Sequence, residues 1–224
     1  MSNKLAPEEP VTEDQSSRGQ FLKLAGGTGA AGALAIFIAA CGGDNKKKDS
    51  SGSGSSGKKP KADKGDLAIV NYALTLEYLE SDFYQQVIDS GEVKTKAVVE
   101  VAKTIAQDEM EHVQALTATV EQLGGKPAAK PKGKFDSVLA GGEKKILATA
   151  AVVENLGASA YLGQAGKIKS KEVLAAALSI HTVEARHAAV LNQVIGKSIV
   201  PDGAFAKPAD MATVLKAVKP FIAS

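Results

Sequence analysis

The chain has 224 residues and a formal net charge of +2, a balance that gives no case for nucleic-acid binding. Aromatic residues make up 4% and Trp is absent, while Ala, Val and Leu lead the apolar residues, which suits helices packed closely through small side chains. A single cysteine excludes an internal disulfide.

Near the N-terminus, Arg18-Gly19-Gln20-Phe21-Leu22-Lys23 precedes an apolar run from Leu24 to Ala40 that is rich in Gly and Ala. A basic start, an apolar centre and small residues before a break are the parts of an export signal. The run ends in Ile38-Ala39-Ala40-Cys41, which resembles a bacterial lipobox, so residues 1–41 are read as an export signal and Cys41 as the lipidated residue. The basic start resembles a twin-arginine signal whose second arginine is Gly19, and folded export and ordinary secretion both stay open as routes. A transmembrane anchor is a poorer reading of 17 weakly apolar residues. The chain is therefore expected to be exported and held by lipid, on the outer face of the bacterial cytoplasmic membrane or in the periplasm.

Residues 42–65 carry Gly, Ser, Lys and Pro without apolar residues and are read as a flexible linker. Such a segment spans roughly 27 Å root-mean-square. Its seven lysines against three aspartates also suit contact with anionic lipid beside the anchor.

From Asp66 onward the apolar periodicity is helical. One helix is expected over about Asp66–Asp89, stopped by Ser90-Gly91, and a second from a Thr95 cap to Gly124-Gly125. The Lys/Pro stretch "KPAAKPKGK" is a long connection. A third helix follows over about Gly142–Gln164 and a fourth from a Ser170 cap to Gly196. Residues 197–224 form a tail with one more short amphipathic helix after Pro208. Two helical hairpins joined by one long crossover give an all-α fold, a four-helix bundle over residues 66–196 plus a short C-terminal helix.

The apolar stripes contain charges. In the second helix, positions 98, 102, 105, 109, 112, 116, 120 and 123 read Val, Ala, Ile, Glu, His, Leu, Val, Leu. In the fourth, positions 173, 177, 180, 184, 187, 191 and 194 read Val, Ala, Ile, Glu, His, Leu, Val. Steps of three and four keep each set on one face. Glu109–His112 and Glu184–His187 thus interrupt the core stripe, and Glu77 and Glu154 do the same in the first and third helices. The halves repeat one another: Glu77 precedes Tyr84 by seven residues, as Glu154 precedes Tyr161, and each half then ends in Glu-x-x-His.

Four ionised carboxylates in a core cost several kcal/mol each without compensation. Raised pKa values or bound cations provide it, and two divalent ions balance four glutamates. Glu at i and His at i+3 both reach one point about a turn away, as a single metal requires. Oxygen-rich shells with imidazole lean towards iron, then manganese. The expected ligands are Glu77, Glu109, His112, Glu154, Glu184 and His187, with Glu80 as an alternative or extra ligand. Tyr84 and Tyr161 are read as core aromatics, as donors to ligand carboxylates or as redox-active phenols. Asp108 and Glu111 fall off the stripe and are expected on the solvated surface, and His181, whose i−3 residue is Leu178, is read as structural or as a partner behind the ligands.

On these residues, the stretch from Asp66 to about Gly196 resembles the ferritin-like superfamily. "NYALTLEYLESDFY" and the trailing "PFIAS" are similar to its exported branch, which includes plant desiccation-related proteins. The resemblance implies that Glu77, Glu109 and His112 serve one half of a dimetal centre and Glu154, Glu184 and His187 the other. The outer glutamates then each favour one metal, and those of the Glu-x-x-His motifs bridge. Rubrerythrins carry a further glutamate near the third-helix ligand and a cysteine-rich iron domain, whereas positions 157 and 158 here are Gly and Ala. Electron delivery from such a domain is not expected. The implied chemistry is redox work on peroxide, oxygen or ferrous iron, of peroxidase, catalase or ferroxidase type, or metal binding without turnover in a stress or structural lipoprotein. The partners are the membrane through the lipid and a small oxidant or metal ion, with a homodimer compatible and storage in a closed cage disfavoured by tether and tail.

Overall fold

A computed structural model describes residues 63–223. The export signal, Cys41 and nearly all of the linker lie outside the described residues. The helices are α1 (Lys64–Ser90), α2 (Lys96–Gln122), α3 (Asp136–Leu139), α4 (Gly142–Ala165), α5 (Lys171–Val194) and α6 (Met211–Val218), closed by a 3₁₀ turn over Lys219–Phe221. Antiparallel α1–α2 and α4–α5 pack as hairpins, α1 lies against α4, and α2 against α5. The four long helices fall within two residues of their expected bounds. The four-residue α3 inside the crossover was not foreseen.

Local chemistry sets the helix ends. α1 starts two residues before Asp66 because Asp63 caps it, its carboxylate accepting from the Gly65 N–H at 2.8 Å. Gly91 ends α1 with φ 61°, a left-handed geometry open to glycine, and its N–H returns to the Ile88 carbonyl. Ser170 caps α5 through the Val173 N–H, and Asp210 caps α6 through the Thr213 N–H. Thr95 holds the N-cap position of α2, but its side chain accepts no hydrogen bond there. Instead Glu143 of α4 accepts from the Lys94 and Thr95 N–H groups and from the Thr95 hydroxyl, at 2.7, 3.1 and 2.6 Å.

That carboxylate ties one end of the two hairpins together. At the opposite end Asp66, only 1% exposed, accepts from the N–H groups of Lys169 and Ser170 at 2.9 and 2.8 Å. The crossover runs back along α1 between these ends. Asn71 accepts from the Ala128 N–H and Asp82 from the Gly133 N–H. Phe135 then fills the core edge-on to Phe83 and stacked on Phe221.

The tail is a strap. Ala209 N–H donates to the Ser159 carbonyl, and Val214 and Val218 bury themselves against Tyr72, Leu76, Leu79 and Ala160. Lys134 and Ala223 N–H groups pair with the Phe221 and Lys132 carbonyls, joining crossover to C-terminus. The α1–α4 seam is therefore covered by α6, whereas among the described residues no helix covers the α2–α5 seam.

Two apolar clusters fill the bundle. One gathers Phe83, Val87, Ile105, Ile146 and Leu191; the other gathers Val70, Leu74, Leu116, Val120 and Ile180. In every long helix a glutamate falls between the residues of the two clusters. The core is thus two apolar plugs with a charged layer between them.

The strap touches α4 at Gly163, where an added Cβ would lie 1.9 Å from the Ala209 carbonyl oxygen. Alanine gains about 1 kcal/mol over glycine in a helix, but a backbone neighbour cannot swing aside as a side chain does. Gly163→Ala is expected to lower stability by roughly 1–2 kcal/mol net. Thermal unfolding checks it, and an equal or higher Tm contradicts the contact.

Candidate metal centre

Glu77, Glu109, Glu154 and Glu184 are all 0% exposed, and His112 and His187 are 8% and 7% exposed. All six expected residues therefore meet in the middle layer. Two converging groups form: Glu77, Glu109, His112 and Glu184 in the first, Glu109, Glu154, Glu184 and His187 in the second. Glu109 and Glu184 belong to both groups. Glu77 belongs only to the first and Glu154 only to the second.

The distances do not describe a satisfied hydrogen-bond network. His112 Nδ1 lies 3.2 Å from Glu77 Oε2, 3.3 Å from Glu109 Oε2 and 3.3 Å from Glu184 Oε1. One N–H cannot serve three acceptors. His187 Nδ1 lies 3.0 Å from Glu109 Oε1 and 3.2 Å from Glu154 Oε2. Those separations allow ion pairing, yet Nδ1 and both of those oxygens, with both oxygens of Glu184, have no aligned hydrogen-bond partner. Native interiors seldom leave buried polar atoms so placed. Donors about 2.1 Å from a common cation and at right angles to one another lie about 3 Å apart. The donor set therefore fits metal ions: two shared carboxylates, two outer carboxylates and two imidazole nitrogens.

The surrounding side chains hold these donors in place. Tyr84 donates to Glu154 Oε1 at 2.6 Å, and Tyr161 donates to Glu77 Oε1. Each tyrosine thus serves the other hairpin's glutamate. Seven residues of helix rise about 10.5 Å, beyond reach of the glutamate on its own helix, while the antiparallel neighbour brings the opposite one alongside. Burial and then the Glu154 charge hold the Tyr84 phenol well above its usual range, as burial and Glu77 do for Tyr161. Both remain hydrogen-bond donors.

Asp108 is a correction. It was expected in solvent but accepts from His187 Nε2 at 3.0 Å. Position i−1 sits about 100° round the helix from Glu109, on the flank that faces α5. With its Nε2 proton given to Asp108, a neutral His187 turns the Nδ1 lone pair inwards. The other hairpin lacks this device, since Val183 precedes Glu184. Glu111 is exposed, as expected, and accepts from Gln107. His181 Nδ1 meets the Ala158 carbonyl at 3.0 Å and is structural.

Glu80 was expected as an alternative or extra ligand beside Glu77, and both are buried, at 4% and 0% exposure. Glu77 is the one beside His112, and Glu80 belongs to neither converging group. A cavity of about 320 Å³ opens on the uncovered α2–α5 seam, lined by Asp108, Glu111, His112, Val183, Arg186 and His187. It leads to the outer edges of both imidazoles. No periodicity marked Arg186, because the cavity is made by the junction of two helices.

Without cations, protons compensate the charge. Burial and then Glu77 push the Glu109 carboxyl up to about 8. Burial followed by the charge of Glu109 also raises Glu184. Burial opposes charge on His187, but Glu109 and Glu154 outweigh it and lift the imidazole to about 11. His112 is likewise raised, Glu77 outweighing burial. Glu77 alone goes down, because the charge and hydrogen bond of His112 overcome its burial.

A family model described as ferritin-like domain matches residues 65–197. No curated protein matches the chain.

The pKa directions fix the pH response of the metal-free protein. Glu109, rising from 4.5 to about 8, and His187, rising from 6.5 to about 11, both bind protons more tightly when folded. Their stabilisation is complete at low pH and is lost as pH rises through those folded values. Glu77 acts oppositely, but only as pH falls below the ordinary carboxylate range. In excess chelator, Tm is expected to fall steadily from pH 5 to pH 9; a flat or rising Tm contradicts the proton-compensated layer.

Proposed function

The chain belongs to the ferritin-like domain family, and from that premise we propose that it holds two divalent transition-metal ions, iron first and manganese next, and works as an exported oxidoreductase on peroxide, dioxygen or ferrous iron. The observation that carries this reading is the convergence of carboxylate oxygens and two Nδ1 atoms at 3.0–3.3 Å with most of those atoms unpartnered. In this reading Glu77 and His112 hold one ion, Glu154 and His187 the other, and Glu109 and Glu184 contribute to both. The chemistry supplied by such a bound pair is electron exchange with the small oxidant or with ferrous iron.

The chain's own residues prepare that chemistry. Tyr84 and Tyr161 hold Glu154 and Glu77 by one oxygen each. Asp108 fixes the tautomer of His187, so that a lone pair faces the carboxylates. The glutamates and imidazoles release their extra protons as cations enter, which makes uptake stronger at higher pH. The mouth on the α2–α5 seam, lined by Asp108, Glu111 and Arg186, admits ions and small polar molecules. The two apolar plugs exclude water from above and below the layer.

We also propose that Cys41 carries lipid after the signal is removed, that residues 42–65 tether the bundle to the membrane surface, and that the chain belongs to the exported branch of its family. The single cysteine at the end of the N-terminal apolar run supports this placement.

Elemental analysis of the purified chain is expected to give two ions per chain, falling below one in Glu109→Ala, with oxygen release from hydrogen peroxide or ferric absorbance from ferrous iron lost in parallel. Two ions without turnover reduce the reading to a metal-binding lipoprotein; no bound ion ends it. Cys41→Ser is expected to move the protein from the membrane fraction to the soluble one, and continued membrane attachment contradicts the lipid anchor.

A further inference from the structure

We propose that Glu80 is a further ligand of the centre, joining the position of Glu154 and His187 through the space left by the missing side chain of Gly157. The proposal rests on the dimetal reading above and makes the two metal positions unequal.

Glu80 is 4% exposed, and its carboxylate has no hydrogen bond or ion pair among the described residues. It lines a small cavity beneath α6 whose other walls are Gly157 and apolar side chains, including Leu79, Phe83, Val153, Leu156 and Val214. On its inward side it faces the glutamate layer. A buried carboxylate facing apolar walls and like charges is strongly disfavoured unless something compensates it.

Gly157 shows where the group reaches. A Cβ there would lie 2.8 Å from Glu80 Oε1 and 2.7 Å from Glu184 Oε2. The two oxygens therefore converge on a volume that any side chain at 157 would claim. Under the internal repeat, residue 157 stands three after Glu154 as Glu80 stands three after Glu77, so one half has a carboxylate where the other has none. The α1 carboxylate thus fills the space that its α4 counterpart vacates.

The position follows from Glu184. Its Oε1 lies 3.3 Å from His112 Nδ1, on the first group's side. Its Oε2 turns towards Gly157, one turn from Glu154, which belongs to the second group. Glu80 Oε1 borders the same vacant Cβ position at Gly157, which places it beside the second group. Three outer or shared glutamates, His187 and Glu80 would meet there, against three glutamates and His112 at the first. A neutral, protonated Glu80 donating to Glu184 is the competing account, and it gives the residue no part in metal binding.

Calorimetric titration of the full chain with Mn²⁺ alone, with metal content as a second readout, separates the accounts. The parent is expected to bind two ions. Glu80→Gln copies the protonated acid in shape and hydrogen bonding. It is expected to weaken one ion by at least tenfold and leave the other unchanged. Moving the carboxylate across the repeat, in Glu80→Gly with Gly157→Glu, should restore the second ion. Thermal unfolding of each metal-free variant separates a folding defect from lost binding. Parent-like binding of both ions by Glu80→Gln overturns the proposal and leaves the dimetal reading standing, whereas a parent that binds no ion removes both.

Discussion

The structure is organised around the mutual repulsion of carboxylates that the fold drives together. Glu77, Glu109, Glu154 and Glu184 are fully buried in one layer, with Glu80 at its edge, and among the described residues two imidazoles are the basic groups paired with them. Burying like charges without compensation costs more than most single contacts contribute to a domain. The layer is therefore possible only where protons or cations share it. That is why the histidines bind a proton so firmly in the metal-free chain and why proton loss and cation uptake are one equilibrium.

Much of the remaining architecture serves to hold that layer in place. The apolar clusters above and below supply the burial that keeps four helices together despite the charge between them. Glu143 and Asp66 join the hairpins at opposite ends through backbone N–H groups, fixing the register of α1 and α2 against α4 and α5. Register matters because the tyrosine–glutamate pairs run between hairpins: a slip of one turn separates Tyr84 from Glu154 and Tyr161 from Glu77. The strap over the α1–α4 seam and the open α2–α5 seam then give the layer one closed side and one accessible side.

The internal repeat is close, and its departures carry the chemical individuality of the site. Asp108 fixes His187, but Val183 offers nothing equivalent to His112. Glu80 has Gly157 as its counterpart, and the glycine leaves room for it. A symmetric pair of hairpins thus surrounds a centre whose two sides differ in hydrogen bonding and in carboxylate number.

The pattern of steps of three and four settled the helices, their inward stripes and the six residues that meet in the layer, because helical periodicity maps sequence position directly onto a face. It also placed Tyr84 and Tyr161 near the site. The sequence could not say which glutamate each tyrosine serves, since that depends on how antiparallel helices lie side by side. It could not bring Asp108 in from the surface, because a residue off the stripe is reclaimed only when a second helix packs against its flank. Nor could it reveal that Glu77 and Glu80 are buried together, or that Thr95 yields its capping role to Glu143; each depends on atoms distant in sequence. Spacing along one helix determined who faces inwards, and packing between helices decided who meets whom, because only packing fixes distances between residues that the chain does not link.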